Sequence, residues 1–191
     1  MTSYYKFATL STLSVFFLST LACSINVGGP VYPSDPIPIS TESVLVLHEQ
    51  FKSAIEAGTN NNGTITISVT EAQITSYLTF IFNSQTEPIL TNPQVYLRDG
   101  QMHIYGITHK GIFVANIGIN VSVNVNEQGQ PEINLISADF GPFPVPEGFK
   151  EVIARVVQEA FTGTFGPIAT GFRLENVSIA DGIMTVTGRI K

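Results

Sequence analysis

Between Ile112 and Asn126 the chain alternates without a break. Phe113, Ala115, Ile117, Ile119, Val121, Val123 and Val125 share one parity, and Asn116, Gly118, Asn120, Ser122, Asn124 and Asn126 share the other. Successive side chains of a strand point to opposite faces, so this is one long strand with an apolar side and a wet side, as in an antiparallel sheet. Such a strand cannot hide its apolar side alone. The stretch best suited to cover it runs from Ala138 to Phe165. Pro142, Pro144 and Pro146 make its first part rigid and exclude a central strand. Phe149, Ile153, Val156, Val157, Ala160 and Phe161 then recur three or four apart, with Lys150, Glu151, Arg155, Gln158 and Glu159 on the other face or its borders. That spacing predicts an amphipathic helix for the strands to curl around.

The remaining segments fit the same plan. A helix is expected over Thr41–Ala57, capped by Ser40 or Thr41, lined by Val44, Leu47, Phe51 and Ile55, and closed by Gly58. Ile65, Ile67 and Val69 alternate with threonine and serine and predict a strand over Thr64–Val69. Thr70-Glu71-Ala72-Gln73 reads as a capping box opening a second helix, with Ile74, Leu78, Ile81 and Phe82 on one side. Asp99-Gly100 and Asp181-Gly182 each sit between two strand-like runs and predict tight hairpins. Inward parity shifts between Leu135 and Ile136, which places a bulge near Ser137. The two Asp-Gly hairpins, Val95–Gly106 and Val177–Gly188, agree at Val, Asp-Gly, Met and the final Gly, and each follows a predicted helix at a similar distance. Either helix-plus-hairpin occurs twice, or the match reflects the demands of any such turn.

The chain has 191 residues, enough for one domain with a real core. Charged residues are only 13% and the net charge is −6, so nothing provides the basic footprint that nucleic acid requires, nor a polybasic patch for anionic lipid. Lys6 is the only charge before Asp35, and Phe7 to Ala22 is an uncharged, largely apolar run of signal-peptide length. It ends in S-T-L-A-C. The order of basic residue, apolar run and small residue before Cys23 resembles the lipobox of bacterial lipoproteins, although Thr20 and Leu21 depart from its commonest form. The resemblance implies a signal peptide over residues 1–22, cleavage before Cys23, diacylglycerol on its sulfur and an acyl chain on the new amino group. The protein would then be held by lipid on the extracytoplasmic face of a bacterial cell membrane. The alternative is a plain secretory signal with an incidental cysteine. Cys23 is the only cysteine, so neither an internal disulfide nor a cysteine-based metal site is available. Residues 23–39 are rich in proline and glycine and predict an extended, loosely packed tether, leaving residues 40–191 as a single α+β domain.

Over residues 41–191 the motifs V-T-E-A-Q-I-T-S-Y-L, P-Q-V-Y-L-R-D-G, G-P-F-P-V-P and D-G-I-M-T-V-T-G resemble a group of bacterial extracytoplasmic lipid-binding domains. These are the relatives of the mycobacterial mannosyltransferase-regulating lipoprotein, whose fold is similar to half of a tubular lipid-binding (TULIP-like) domain. The resemblance implies a long curved antiparallel sheet wrapped around one or two amphipathic helices, an apolar groove suited to an acyl chain, and no transferable catalytic residue.

The residues themselves carry no legible enzyme signature. Nucleophile-elbow, phosphate-loop and zinc-helix motifs are all missing from the sequence. His103 and His109 lie about 20 Å apart on a straight strand, so they would not share a metal. His103 with Asp99 is a weak metal candidate, and Asp139 reads as a turn cap more readily than as a base. Asn62, Asn120 and Asn176 each open an N-x-S/T glycosylation pattern, which in a bacterial lipoprotein would be incidental. The leading expectation is therefore a lipid-anchored module without catalysis, cofactor or metal. It would bind a lipid or other apolar ligand among Ile74, Leu78, Phe82, Ile117, Ile119, Val121, Ile153, Val157 and Phe161. Taken alone, the same residues read more readily as a filled core, in which case the chain is an envelope interaction or assembly protein. An envelope hydrolase ranks last.

Overall fold

A computed structural model describes residues 24–60, 63–145, 149, 151 and 172–190. The expected signal peptide, Cys23 and most of the predicted helix after Pro146 lie outside these residues. The described elements run β1 (Ile25–Asn26), α1 (Thr41–Asn60), β2 (Thr64–Thr70), α2 (Glu71–Asn83), β3 (Thr91–Arg98), β4 (Gln101–Lys110), β5 (Phe113–Val125), β6 (Pro131–Asp139), β7 (Phe172–Ala180) and β8 (Ile183–Ile190).

The strands form as their alternation requires. β5 buries Ala115, Ile117, Ile119, Val121 and Val123 on one face, and β2 buries Ile65, Ile67 and Val69. β3, β4, β5 and β6 pair antiparallel in sequence. β2 pairs with β8, and β8 with β7, to make a second sheet. Two backbone bonds stitch the sheets together: Gly182 N–H to Leu97 O at 3.1 Å, and Leu174 N–H to Gly129 O at 3.0 Å. The whole is an α+β fold, a strongly curled sheet forming a half-barrel wrapped around helices. Its sheet is mixed rather than purely antiparallel, because β1 runs parallel to β5.

Local chemistry sets the element ends. Thr70 caps α2 with the expected box: its hydroxyl accepts Gln73 N–H at 3.3 Å, and Gln73 Oε1 accepts Thr70 N–H at 2.9 Å. Ser40 caps α1, its hydroxyl accepting Ser43 N–H at 3.0 Å. α1 does not stop at Gly58, which is helical and buried. It continues to Asn60, and the left-handed backbone that ends the segment sits at Gly63 (φ 76), whose N–H bonds Gly58 O. Asp99 and Gly100 (φ 53 and 73) and Asp181 and Gly182 (φ 50 and 80) adopt the doubly left-handed turn that matches strand twist. The two hairpins are geometric equivalents: Leu97 opposes Met102 as Ile179 opposes Met184, and the first strand of each carries a register shift. The bulge in β6 is present one residue earlier than expected. Asn120 opposes Ser137 and Val121 opposes Leu135, leaving Ile136 as the extra, exposed residue rather than an inward one.

The segment before Ser40 is extended, as its composition predicts, but it is not loose. Ile25 N–H bonds Ile112 O and Val27 N–H bonds Val114 O, both at 2.8 Å, and Asn116 N–H bonds Gly28 O. The chain then crosses the outer face of the sheet. Pro30 lies over Gly118 and its carbonyl accepts Asn116 Nδ2. Tyr32 donates to Asn92 O, Tyr96 donates to Asp35 O, and Gln94 Oε1 accepts Ile37 N–H. Gly29 (φ 112) is required at the crossing, since a Cβ there would stand 2.0 Å from Asn116 O. Residues 24–40 are thus a strap bound to the domain, because their backbone groups find partners on the outer side chains of β3 and β5.

Candidate functional site

α2 and β5 build the candidate site. In α2, Ile74, Leu78 and Phe82 recur every four residues and all three are buried; Ile117, Ile119 and Val121 recur every two along β5. These six expected lining residues fall in one buried cluster with Val95, Leu97, Ile104, Leu174 and Val186. Ile117, Ile119 and Val121 have no exposed surface. Ile153, Val157 and Phe161 lie outside the described residues. Of their predicted helix, Phe149 is described and buried, packing edge-on against Phe140 with ring centroids 4.9 Å apart.

Polar groups at the margin of this interior are satisfied internally. Thr75 is fully buried; its hydroxyl accepts Val95 N–H at 3.0 Å, tying α2 to β3. Glu71 Oε1 accepts Leu97 N–H at 2.8 Å and pairs with Arg98 at the hairpin entrance. Ser76 Oγ accepts Ser40 N–H, and Gln73 Nε2 donates to Gln50. Among the described residues no buried side-chain nitrogen or oxygen lacks a partner. Sequence reasoning missed Thr75, Ser76 and Gln94, and only the interruption of an apolar helix face by T-S could have pointed to the first two.

The polar candidates His103, His109 and Asp139 each have a near partner. His103 Nδ1 is held 2.8 Å from Asn120 Oδ1, whose amide in turn donates to Ser137 Oγ. His109 stands near Thr91, at the other end of β4. Asp139 closes the turn after β6 by accepting Gly141 N–H at 2.8 Å. Among the described residues no group of three or more His, Cys, Asp or Glu is placed to hold a metal. On the outer face, burial and then Tyr96 push the Tyr32 phenol up. Burial raises Tyr96 as well, followed by Glu71, Asp35 and Tyr105, with Arg98 pulling it down.

No protein-family model matches the chain, and no curated protein matches it. No described helix is long and apolar enough to cross a membrane.

Proposed function

We propose that the protein is a membrane-tethered extracytoplasmic lipoprotein, anchored through lipid on Cys23, whose interior takes up a lipid acyl chain or similar apolar ligand without catalysis. One observation carries this reading. The concave side of the half-barrel is a single apolar cluster, lined by α2 and by both sheets, whose marginal polar groups are already paired with one another. Such an interior gives an acyl chain apolar contact along its length and, among the described residues, offers no unpaired buried side-chain group to fix a polar ligand. The similarity to TULIP-like half-domains rests on the motifs, and a curled sheet around helices is consistent with it. An acidic chain with 9 basic and 15 acidic residues supports no nucleic-acid role.

A second reading has its own observation. Zero exposure at Ile117, Ile119 and Val121 fits a filled core, and hence an envelope interaction module with no small ligand. Native mass spectrometry of the full chain, extracted from membranes in mild detergent, separates the two. A non-covalent mass of lipid size, reduced in an Ile119→Trp variant that fills the interior, is expected. A chain carrying only its covalent modification would instead favour the interaction module. Release of a Cys23→Ser variant from membranes checks the anchor.

A further inference from the structure

Where β4 turns into β5, Ile112 and Phe113 stand 52% and 42% exposed, and Ile25 stands 47% exposed beside them. Ile25 is the register partner of Phe113 across β1–β5, and its N–H bonds Ile112 O. Three large apolar side chains therefore share one corner of the half-barrel. The exposed residues His109 and Lys110 flank it.

What covers this corner is indicated by the chain that leads into it. The residues before Ser24 hold the uncharged run Phe7–Ala22 and then Cys23. From Cys23 to Ile25 is two residues, about 7 Å of extended chain. Any bilayer-inserted group joined at Cys23 thus begins within that distance of the exposed corner. We propose that Ile25, Ile112 and Phe113 form a membrane-docking surface, seated at the headgroup–acyl boundary of the bilayer that holds the N-terminus, with Lys110 at the level of the phosphates. Apolar residues flanked by a long-stemmed cation suit that boundary, since the stem lies along acyl chains while the ammonium stays in water. With a net charge of −6 the chain has no long-range attraction to anionic lipid. Docking therefore follows anchoring, which supplies the high local concentration, and does not recruit the protein on its own. The surface fixes orientation: β4 and β5 run away from the membrane, and the Asp99-Gly100 and Asp181-Gly182 turns stand about 30 Å further out.

This inference rests on the membrane-tethered reading, and its test separates the two. The chain contains no tryptophan, so one introduced indole is a unique reporter. Full-length Phe113→Trp protein is reconstituted into phosphatidylcholine vesicles carrying brominated acyl chains. Ile183→Trp is the matched control: Ile183 is also 42% exposed, but it sits beside Gly182, which bonds Leu97 near the opposite end of the sheet. Indole emission from Phe113→Trp is expected to shift to the blue and to fall by about twofold or more, as for a ring 5–10 Å or so into the interface, while Ile183→Trp is unaffected. If the protein floats with the vesicles and Phe113→Trp is not quenched, the docking surface is wrong and the anchor stands. Quenching of both reporters equally also overturns it. A full chain that does not float with vesicles overturns the anchored reading and this inference together.

Discussion

Thr75 has no exposed surface, yet it sits on the buried face of α2, where an apolar residue would ordinarily be expected. Its hydroxyl satisfies Val95 N–H at 3.0 Å, and its carbonyl accepts the hydroxyl of Thr79. Replacing it with the isosteric Thr75→Val adds apolar character and removes the acceptor. A buried N–H left without a partner costs about 1–3 kcal/mol, so Thr75→Val is expected to destabilise by that amount and Thr75→Ser to restore most of it. Urea midpoints of the three proteins check this; a Val variant as stable as the parent would refute the assignment. The buried apolar residues around Thr75 were legible from parity and helical spacing alone. Thr75 was not, because a threonine looks the same in sequence whether its hydroxyl meets water or a strand on the far side of a loop.

At the level of elements, local chemistry was readable and remote partnership was not. The Asp-Gly turns, the Thr70–Gln73 box and the bulge in β6 all follow from a few adjacent residues. The strap is the contrary case. Proline and glycine in residues 24–40 describe an extended chain, but what holds it lies 57 to 86 positions away, at Asn92, Gln94 and Asn116. Two of its clasps are phenols donating to carbonyls, and both phenols are shifted upward. The sign follows from linkage. The unfolded tyrosines ionise first, near pH 10 or so, so the clasps contribute fully below that pH and are lost as pH rises through the folded values. Stability is therefore expected to fall more steeply above about pH 10 in the native chain than in a Tyr32→Phe/Tyr96→Phe double variant, which starts lower and declines less. Parallel decline in the two proteins, followed by urea unfolding at each pH, would count against the clasps.

On the scale of the whole molecule, the class of fold was legible: one-sided strands curled about amphipathic helices. The pairing order was not, since strand parity says which face is buried and not which neighbour is bonded. β2 illustrates the gap. Its register partner is β8, with Thr64 opposite Arg189 and Thr70 opposite Ile183, so the first long strand of the chain is completed by the last. A chain ending at Gly182 would leave the facing edges of β2 and β7 without that partner. Such a truncation is expected to lose cooperative unfolding altogether rather than a fraction of stability, which a denaturant titration followed by circular dichroism would reveal; a sharp two-state transition in the truncated chain would contradict it. The lining of the candidate site was legible only as an apolar face. Whether that face closes on itself or parts for a ligand depends on packing between elements distant in sequence.

The parallel pairing of β1 with β5 has a mechanical consequence. A tug on the chain at Ser24 runs along the axis of β1, so the bonds from Ile25 to Ile112, Val27 to Val114 and Asn116 to Gly28 are loaded in shear and must yield together rather than peel one at a time. Strain arriving through the N-terminus is therefore borne at the edge of β5 before it can reach the interior.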